Sequence, residues 1–252
     1  MRLAIDPNLL IAFLFASARC AAFLFVAPPF QGLVPPVVRG GLSLSLGVFL
    51  APQLATASLP VDDTAGIIAG LLFQIGVGLA LGFLVYLVFQ AAMAAGSMVD
   101  YMGGLTSAQL FDPMSGVSMG PMARYYQAMA TFVLFATGGH LLLVGGLVRS
   151  FSAAPVSGLR LDRLGILLTG GVGQFLLAAL QIAAPVLGAL FVTELLVGLA
   201  SRAAPQLNVM VLGFGVKSLI VLVLSGLSLP LLVAVVPRLV SNALDAMWAL
   251  VR

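Results

Sequence analysis

The chain is too apolar and too sparsely charged for a typical soluble domain. Its 252 residues are 62% hydrophobic and 8% charged, with a mean hydropathy of +1.19, whereas soluble domains carry about 25% charged residues. The formal net charge of +3 is not gathered into a basic face, which argues against nucleic-acid binding. One cysteine and one histidine exclude an internal disulfide and a Cys/His zinc site. The composition predicts an integral membrane or membrane-complex protein, and we expect no cofactor.

Six apolar runs are long enough to cross a bilayer, which takes about 20 residues. They are 8–27, 38–56, 65–95, 125–148, 164–200 and 206–247. We expect Pro185 to break or fold back the fifth run, and Pro230 and Pro237 to do the same in the last. The pattern predicts an all-α, membrane-associated fold of long broken helices and helical hairpins.

The 65–95 run carries two glycine pairs at the i,i+4 spacing, Gly66 with Gly70 and Gly78 with Gly82. Small residues at this spacing let membrane helices approach closely. Glycine is also simply common in membrane helices, which accounts for part of the pattern. We expect the pairs to mark close helix contacts.

Charge placement conflicts with a simple alternating topology. If each run crossed once, the acidic linker 57–64 would share a side with 149–163, which carries three arginines. The positive-inside rule disfavours this arrangement. Two crossings by 65–95, or a hairpin there that does not cross, would remove the conflict.

Few charges lie within the apolar runs, and those of interest are Arg19, Glu194, Lys217 and Arg238. Gln74 is a buried polar candidate, and Arg202 follows the fifth run. Such groups are costly in hydrocarbon, so they face a protein partner or a wet cavity. The set contains no chain of carboxylates for a proton relay, which favours contacts between helices or subunits over a transport pathway.

The segment between Tyr101 and Ala123 is long, and Asp112 is its only ionisable group. Structureless loops of more than about 12–15 residues are usually functional or disordered, and a disordered one would be polar and charged. This central loop, about 98–123, is instead rich in methionine, which fills irregular gaps. We expect it to pack against protein or line a cavity.

Gly116 to Gly120 match the G-x-S-x-G pattern, which raises the possibility of a nucleophilic Ser118. That motif needs a preceding strand and partners in the order Ser, Asp or Glu, His. No acidic residue separates Ser118 from His140, and an intramembrane Ser/His protease is only a looser fit. We therefore predict no enzyme, and expect His140 to satisfy backbone groups at a helix end or break.

An ordered set of short motifs resembles the FliR family of flagellar biosynthetic proteins over nearly the whole chain. In chain order these are Arg19, Pro28-Pro29-Phe30, Gly103 to Ala108, Phe111-Asp112-Pro113, Gly139-His140, Ser150-Phe151, Ser201 to Val209 and Gly213-Phe214. Two positions depart from the family pattern. Gln74 stands where glutamate is expected and Gly215 where proline is expected, so a family ion pair at position 74 is in question.

The resemblance implies a subunit of a type III export gate in the bacterial inner membrane, at the flagellar basal body. Family members look like a fusion of FliP and FliQ, and one copy completes a hetero-oligomeric helical ring with them. FlhA, FlhB, unfolded flagellar export substrates and membrane lipid are the other expected partners. Residues 1–252 would form a single gate domain.

The resemblance also implies that the central loop acts as a plug in the closed conduit. The residues expected to form this seal are Leu110, Phe111, Asp112, Pro113, Met114 and Met119. A related alternative is the homologous subunit of virulence injectisomes. An alternative from another class is a small-solute transporter whose buried charges line the substrate path.

Overall fold

The computed structural model describes residues 6–31, 34–55, 64–106, 119–153, 161–203 and 209–249. Within these ranges the chain forms nine α-helices and no strand, so the predicted all-α class is confirmed. The helices are α1 Pro7–Val26, α2 Pro28–Gln31, α3 Pro36–Ala55, α4 Thr64–Met102, α5 Pro121–Ala136, α6 Gly139–Ala153, α7 Leu161–Ala203, α8 Val209–Leu227 and α9 Leu229–Ala249.

Four of these helices begin at a proline: Pro7, Pro28, Pro36 and Pro121. The proline ring sets the helical φ in advance, and the first helical N–H has no partner in any case. Helix α1 is also capped by the side chain of Asp6, which accepts from the backbone N of Asn8 at 3.0 Å. Local sequence therefore fixes where these helices start.

Helices α4 and α7 are longer than a bilayer is thick. They contain 39 and 43 residues, or about 58 and 65 Å at 1.5 Å per residue, against about 30 Å of hydrocarbon. The expectation of two crossings or a hairpin within 65–95 is wrong, because α4 is continuous there. That run has no proline, and its glycines are tolerated in an apolar helix.

The prolines inside the later runs do not break the helices that contain them. Pro185 lies within α7 and Pro237 within α9, so the breaks predicted there are wrong. A proline removes one backbone hydrogen bond, which neighbouring groups can replace in a membrane helix. The break falls at Ser228, where α8 and α9 are bent by 54°. Pro230 then occupies the first turn of α9, where its missing N–H costs little.

The 125–148 run is also two helices, α5 and α6, which separate at Thr137 and Gly138. Gly138 has a φ of +73°, a left-handed conformation that favours glycine and ends a helix. His140 lies in the first turn of α6. Its expected position at a helix end is confirmed.

Both ends of the central loop predicted at 98–123 are occupied by ordered helices and a turn, so the loop is shorter than predicted. Helix α4 continues through Met102 and a turn follows to Thr106. Helix α5 begins at Pro121. Residues 107–118 lie outside the described residues.

The chain divides into two compact units by its internal contacts. The first contains Met1–Leu87, Gly138–Gly171 and Val240–Arg252. In it α1 packs along α3, and α1 contributes a buried face that includes Phe15, Cys20 and Phe23. Helix α1 is thus the central element of this unit.

Glycines of α4 pack directly against α1. A side-chain carbon at Gly70 would approach the ring of Phe15 to 2.5 Å, and one at Gly78 would overlap the backbone oxygen of Arg19. One at Gly82 would press on the last turn of α1. The predicted close packing is therefore confirmed at these three glycines.

The second unit contains Val88–Thr137 and Val172–Leu239. It includes a contact between the C-terminal part of α4 and α7 made of small residues. Ala91, Ala178 and Ala179 are buried there, with Ala94, Met98, Phe175 and Leu239 packed on them. Small side chains let these two helices approach, as glycine does in the first unit.

Within the described part of the chain, four helices are long and apolar enough to span a membrane: α1, α3, α4 and residues 170–203 of α7. The pairs α5 with α6 and α8 with α9 raise the number to six if each pair counts as one span. Large apolar side chains remain exposed on α7 and α8, such as Leu196, Leu199, Leu219 and Leu222. The chain is a membrane protein whose exposed helix faces suit lipid or protein.

The close contact at Gly78 yields a stability prediction. We expect Gly78→Ala to lower the free energy of unfolding by about 1–3 kcal/mol, the usual cost of overpacking, because α4 must move away from Arg19. Thermal unfolding of the purified protein in detergent measures the effect. Gly76→Ala is the matched control, since a side-chain carbon there has no atom within 4 Å. Equal losses in the two variants would contradict the prediction.

Candidate functional site

Arg19 of α1 is fully buried. Its Nε donates to Oε1 of Gln74 on α4 at 2.6 Å, and its Nη1 donates to the backbone oxygen of Ser150 on α6 at 2.7 Å. The guanidinium carbon lies 4.3 Å from the ring centre of Phe151, within cation–π distance. One guanidinium therefore joins three helices of the first unit.

Gln74 gives this cluster a neutral acceptor. Its carboxamide is fully buried and occupies the position where the resemblance leads us to expect glutamate. The contact with Arg19 is a hydrogen bond to a charged donor and not an ion pair. The chain thus keeps a polar contact at this position without a carboxylate.

Glu194 of α7 and Lys217 of α8 form an ion pair in the second unit. The side chains are 59% and 19% exposed, respectively. Pairing lowers the cost of placing charge among apolar helices. Arg202 is exposed in the last turn of α7, where a cation interacts favourably with the terminal carbonyls. Arg19 and Gln74 therefore contact each other within the first unit, and Glu194 and Lys217 pair within the second.

Helix α4 ends in a turn closed by two backbone hydrogen bonds. The N of Leu105 donates to the O of Asp100 at 2.9 Å, and the N of Gly104 donates to the O of Tyr101 at 3.2 Å. These two bonds are those of a Schellman motif. Gly104 has a φ of +73°, which other residues adopt only with strain. The turn therefore defines the backbone conformation of the residues that directly follow α4.

The first turn of α5 is capped by a residue of α4. Asp100 Oδ1 accepts from the backbone N of Met122 at 3.0 Å, and Oδ2 accepts from that of Ala123 at 2.9 Å. These N–H groups have no partner inside the helix, and Gly120 at the N-cap supplies no side-chain acceptor. Asp100 is 1% exposed. Its buried carboxylate is thus hydrogen-bonded on both oxygens.

Helix α8 packs on this junction between α4 and α5. A side-chain carbon at Gly103 would lie 2.8 Å from Cγ2 of Val221, and one at Gly104 would lie 3.6 Å from the ring of Phe214. The hydroxyl groups of Tyr126 on α5 and Ser228, at the break after α8, hydrogen bond at 3.0 Å. We call the Asp100 hydrogen bonds and these contacts the loop junction.

The structure describes only one of the predicted seal residues, Met119, which is half-buried beside the loop junction. Leu110, Phe111, Asp112, Pro113 and Met114 lie outside the described residues, as does Ser118. Their predicted functions stay predictions. No group of three or more His, Cys, Asp or Glu side chains suited to a metal ion occurs among the described residues.

Sequence reasoning missed Asp100. One local signal points to it: Gly120-Pro121 begins a helix without a capping side chain, so its orphan N–H groups need an acceptor from elsewhere. Asp100 precedes a Gly-Gly helix end and is the only carboxylate in the C-terminal half of α4. Tyr126 and Ser228 carry no comparable signal, because they meet only through the packing of α5 on the α8–α9 break.

The fold and the loop junction define a class: a membrane protein of long helices whose candidate site consists of hydrogen bonds and apolar contacts. Residues 10–243 match the family described as bacterial export proteins, family 1. The chain belongs to this family.

Relatives in two groups support the assignment. The chain is 30% identical over 240 residues to the flagellar biosynthetic protein FliR of Pectobacterium carotovorum subsp. carotovorum, covering 94% of this chain and 92% of that one. It is 32% identical over 198 residues to FliR of Escherichia coli strain K12, covering 78% and 76%. It is 29% identical over 206 residues to the surface presentation of antigens protein SpaR of Shigella flexneri, covering 78% and 77%. The chain is an export protein and not an enzyme.

The Arg19 cluster yields a second prediction. We expect Gln74→Leu to lower the free energy of unfolding by about 1.5–3 kcal/mol, the worth of a hydrogen bond to a charged group, because Arg19 Nε loses its acceptor. Gln74→Glu keeps the acceptor and should leave stability unchanged or higher. Gln181→Leu makes the same change at an exposed position of α7 and serves as the control. Thermal unfolding of the purified variants tests this; equal stability of Gln74→Leu and Gln181→Leu would count against it.

Proposed function

We propose that the chain is a structural and gating subunit of the flagellar type III protein export gate. The observation that carries the proposal is similarity to flagellar FliR proteins across nearly the whole length of both chains. The expected location is the bacterial inner membrane, at the flagellar basal body. The expected cargo is unfolded flagellar protein.

The architecture supports assembly with other helical subunits. Helices α4 and α7 exceed the hydrocarbon thickness by tens of Å, and α7 and α8 expose many large apolar side chains. Apolar surface that extends beyond the hydrocarbon needs protein to cover it. We propose that FliP and FliQ homologues cover it and form a conduit with one copy of this chain, next to FlhA and FlhB.

We propose that the central loop seals this conduit when no substrate passes. The seal residues are Leu110, Phe111, Asp112, Pro113, Met114 and Met119. A seal against ions must be nearly uncharged, because a buried charge draws in water. It must also yield to a passing polypeptide, which suits flexible methionine side chains. The loop junction supports this function because it holds the chain on both sides of the loop.

Two other functions are candidates. The similarity to SpaR of Shigella flexneri favours an export subunit of a virulence secretion system as the second choice. A small-solute transporter has less support, because Arg19 contacts Gln74 and Ser150 while Glu194 pairs with Lys217. Each of these polar groups is therefore engaged by a partner within its own unit.

Deleting the gene distinguishes the two export systems. We expect the deletion strain to lack flagellar filaments and motility, and to regain both when the gene is supplied on a plasmid. Secretion of virulence-type effectors by the same strain should be unaffected. A motile deletion strain would rule out the flagellar assignment, and a selective loss of effector secretion would assign the chain to a virulence system.

Weakening the loop should open the seal. A buried large apolar side chain contributes about 1.5–3 kcal/mol, so a few such contacts make closure reversible. We expect deletion of 108–116, or joint replacement of Phe111 and Met114 by Gly, to leave the complex assembled but more permeable to sodium and protons. Ion flux into vesicles that contain the purified complex measures this.

Ser118→Ala is the control within the same loop, and we expect it to export normally and remain tight. If the loop only packs between helices, the deletion will prevent assembly. The hypothesis that the loop seals the conduit would be wrong if the deletion complex did not assemble. It would also be wrong if the deletion complex assembled and were as impermeable to ions as the wild type.

A further inference from the structure

Helix α7 carries two exposed glutamines in the second unit, Gln174 and Gln181. Neither carboxamide has a hydrogen-bond partner within the described part of the chain. Successive helical residues are turned by about 100°, so residues seven apart point to within about 20° of the same direction. The two carboxamides therefore lie on one side of α7, and this unit leaves that side uncovered.

Both glutamines lie where α7 is best suited to cross a bilayer. The charged residues of α7 are Asp162, Arg163, Glu194 and Arg202. A crossing takes about 20 residues, and every uncharged stretch of that length in α7 contains both glutamines, because it must lie between Arg163 and Glu194. An amide in hydrocarbon without a hydrogen bond costs free energy, so lipid alone is a poor environment for this side of the helix.

The backbone adds an acceptor at the same place. Pro185 has no N–H, so the backbone oxygen of Gln181 lacks the donor that a helix normally provides four residues later. Pro185 is exposed, so this turn of α7 faces outward. In membrane helices, groups on neighbouring helices can replace the hydrogen bond that a proline removes. Gln181 therefore offers a carbonyl acceptor and a carboxamide that both donates and accepts.

Small residues continue this side of α7 beyond Gln181. Ala184 and Gly188 are exposed and four residues apart, the spacing at which small residues let membrane helices approach closely. A side-chain carbon at Gly188 would have no atom within 4 Å, whereas the glycines of α4 at positions 70 and 78 are needed for packing on α1. No contact in the described chain uses the small size of Gly188, which leaves the space beside it free for another molecule.

We infer that this side of α7 is a docking site for one apolar helix of a different subunit, which places a hydroxyl or carboxamide side chain against Gln181. We call the site the glutamine face, and it consists of Gln174, Leu177, Gln181, Ala184 and Gly188. The inference rests on the proposed assembly with other helical subunits. It adds which face of α7 one of them covers, and through which contacts.

Other occupants fit the glutamine face less well. The acyl chains of lipid have no hydrogen-bonding groups to offer the two carboxamides. A second copy of this chain could pair Gln181 with Gln181, but the proposed gate holds one copy. A partner helix with a polar side chain satisfies the carboxamides, and its backbone can approach over Ala184 and Gly188. Hydrogen bonds and small residues of this kind join membrane helices.

The test moves the carboxamide around the helix. Gln181→Leu removes it. Gln181→Leu with Leu180→Gln keeps the composition but turns the carboxamide by about 100°, onto a position where the leucine is 51% exposed. Leu180→Gln alone is the control that keeps Gln181, and Gly188→Leu fills the space for the partner's backbone.

Each variant is purified through a tag on this chain. Native mass spectrometry gives the ratio of assembled to dissociated chain at one detergent concentration, and thermal unfolding gives the stability of the isolated chain. A photo-crosslinking benzoylphenylalanine in place of Leu177, which is 62% exposed on the same face, identifies the occupant by the mass of the product.

We expect the assembled-to-dissociated ratio to fall about tenfold in Gln181→Leu, in the double variant and in Gly188→Leu, and to keep the wild-type value in Leu180→Gln. Tenfold is the change that the loss of about one hydrogen bond between membrane helices produces. The isolated Gln181→Leu chain should be as stable as the wild type, because its carboxamide has no partner within the described chain. The crosslink should join this chain to a different membrane subunit.

The inference is overturned if Gln181→Leu assembles as the wild type does, if the double variant recovers full assembly, or if the isolated Gln181→Leu chain is less stable than the wild type. It is also overturned if the crosslink joins two copies of this chain or attaches only to lipid. The proposed function fails separately. A wild-type chain that purifies without any other membrane subunit would remove the assembly itself, whereas a wild-type complex whose assembly is unaffected by the Gln181 variants would remove only the glutamine face.

Discussion

The structure depends on one constraint: polar groups inside an apolar protein must find partners within the protein, because hydrocarbon offers none. Arg19 meets the constraint with acceptors from Gln74 and Ser150. The start of α5 meets it with the carboxylate of Asp100. In each case the partner lies on another helix. These hydrogen bonds therefore do two things at once. Each satisfies a buried polar group, and each fixes the position of one helix relative to another.

Close packing makes these contacts possible. Arg19 and Gln74 can meet because glycines on both sides of Gln74, at positions 70 and 78, let α1 lie directly on α4. Asp100 reaches α5 because two glycines leave space between the helices. Gly96 leaves space for the backbone of α5, and Gly120 leaves space for the carboxylate of Asp100. Small residues thus determine where these polar side chains can meet their partners, because they let the helices approach.

The sequence predicts the helices better than it predicts the contacts between them. The starts of α1, α3 and α4 lie within two residues of the predicted runs, because proline and the edge of an apolar run are local signals. Helix breaks are harder to predict, since Pro185 and Pro237 are accommodated within helices while the chain bends at Ser228, two residues before Pro230. The capping of α5 by Asp100 joins residues 22 apart, and neither end carries a spacing motif that identifies the other.

The same constraint connects the fold to the proposed gate. A segment that excludes ions yet moves aside can carry few charges of its own, since charges would draw water into the seal, and Asp112 is the one ionisable group between Tyr101 and Ala123. Polar groups that position the chain beside such a segment must therefore lie outside it and be hydrogen-bonded. Asp100 is such a group, with one oxygen on each of two N–H donors and 1% of its surface exposed. The loop junction thus places a buried carboxylate, hydrogen-bonded on both oxygens, at the start of α5.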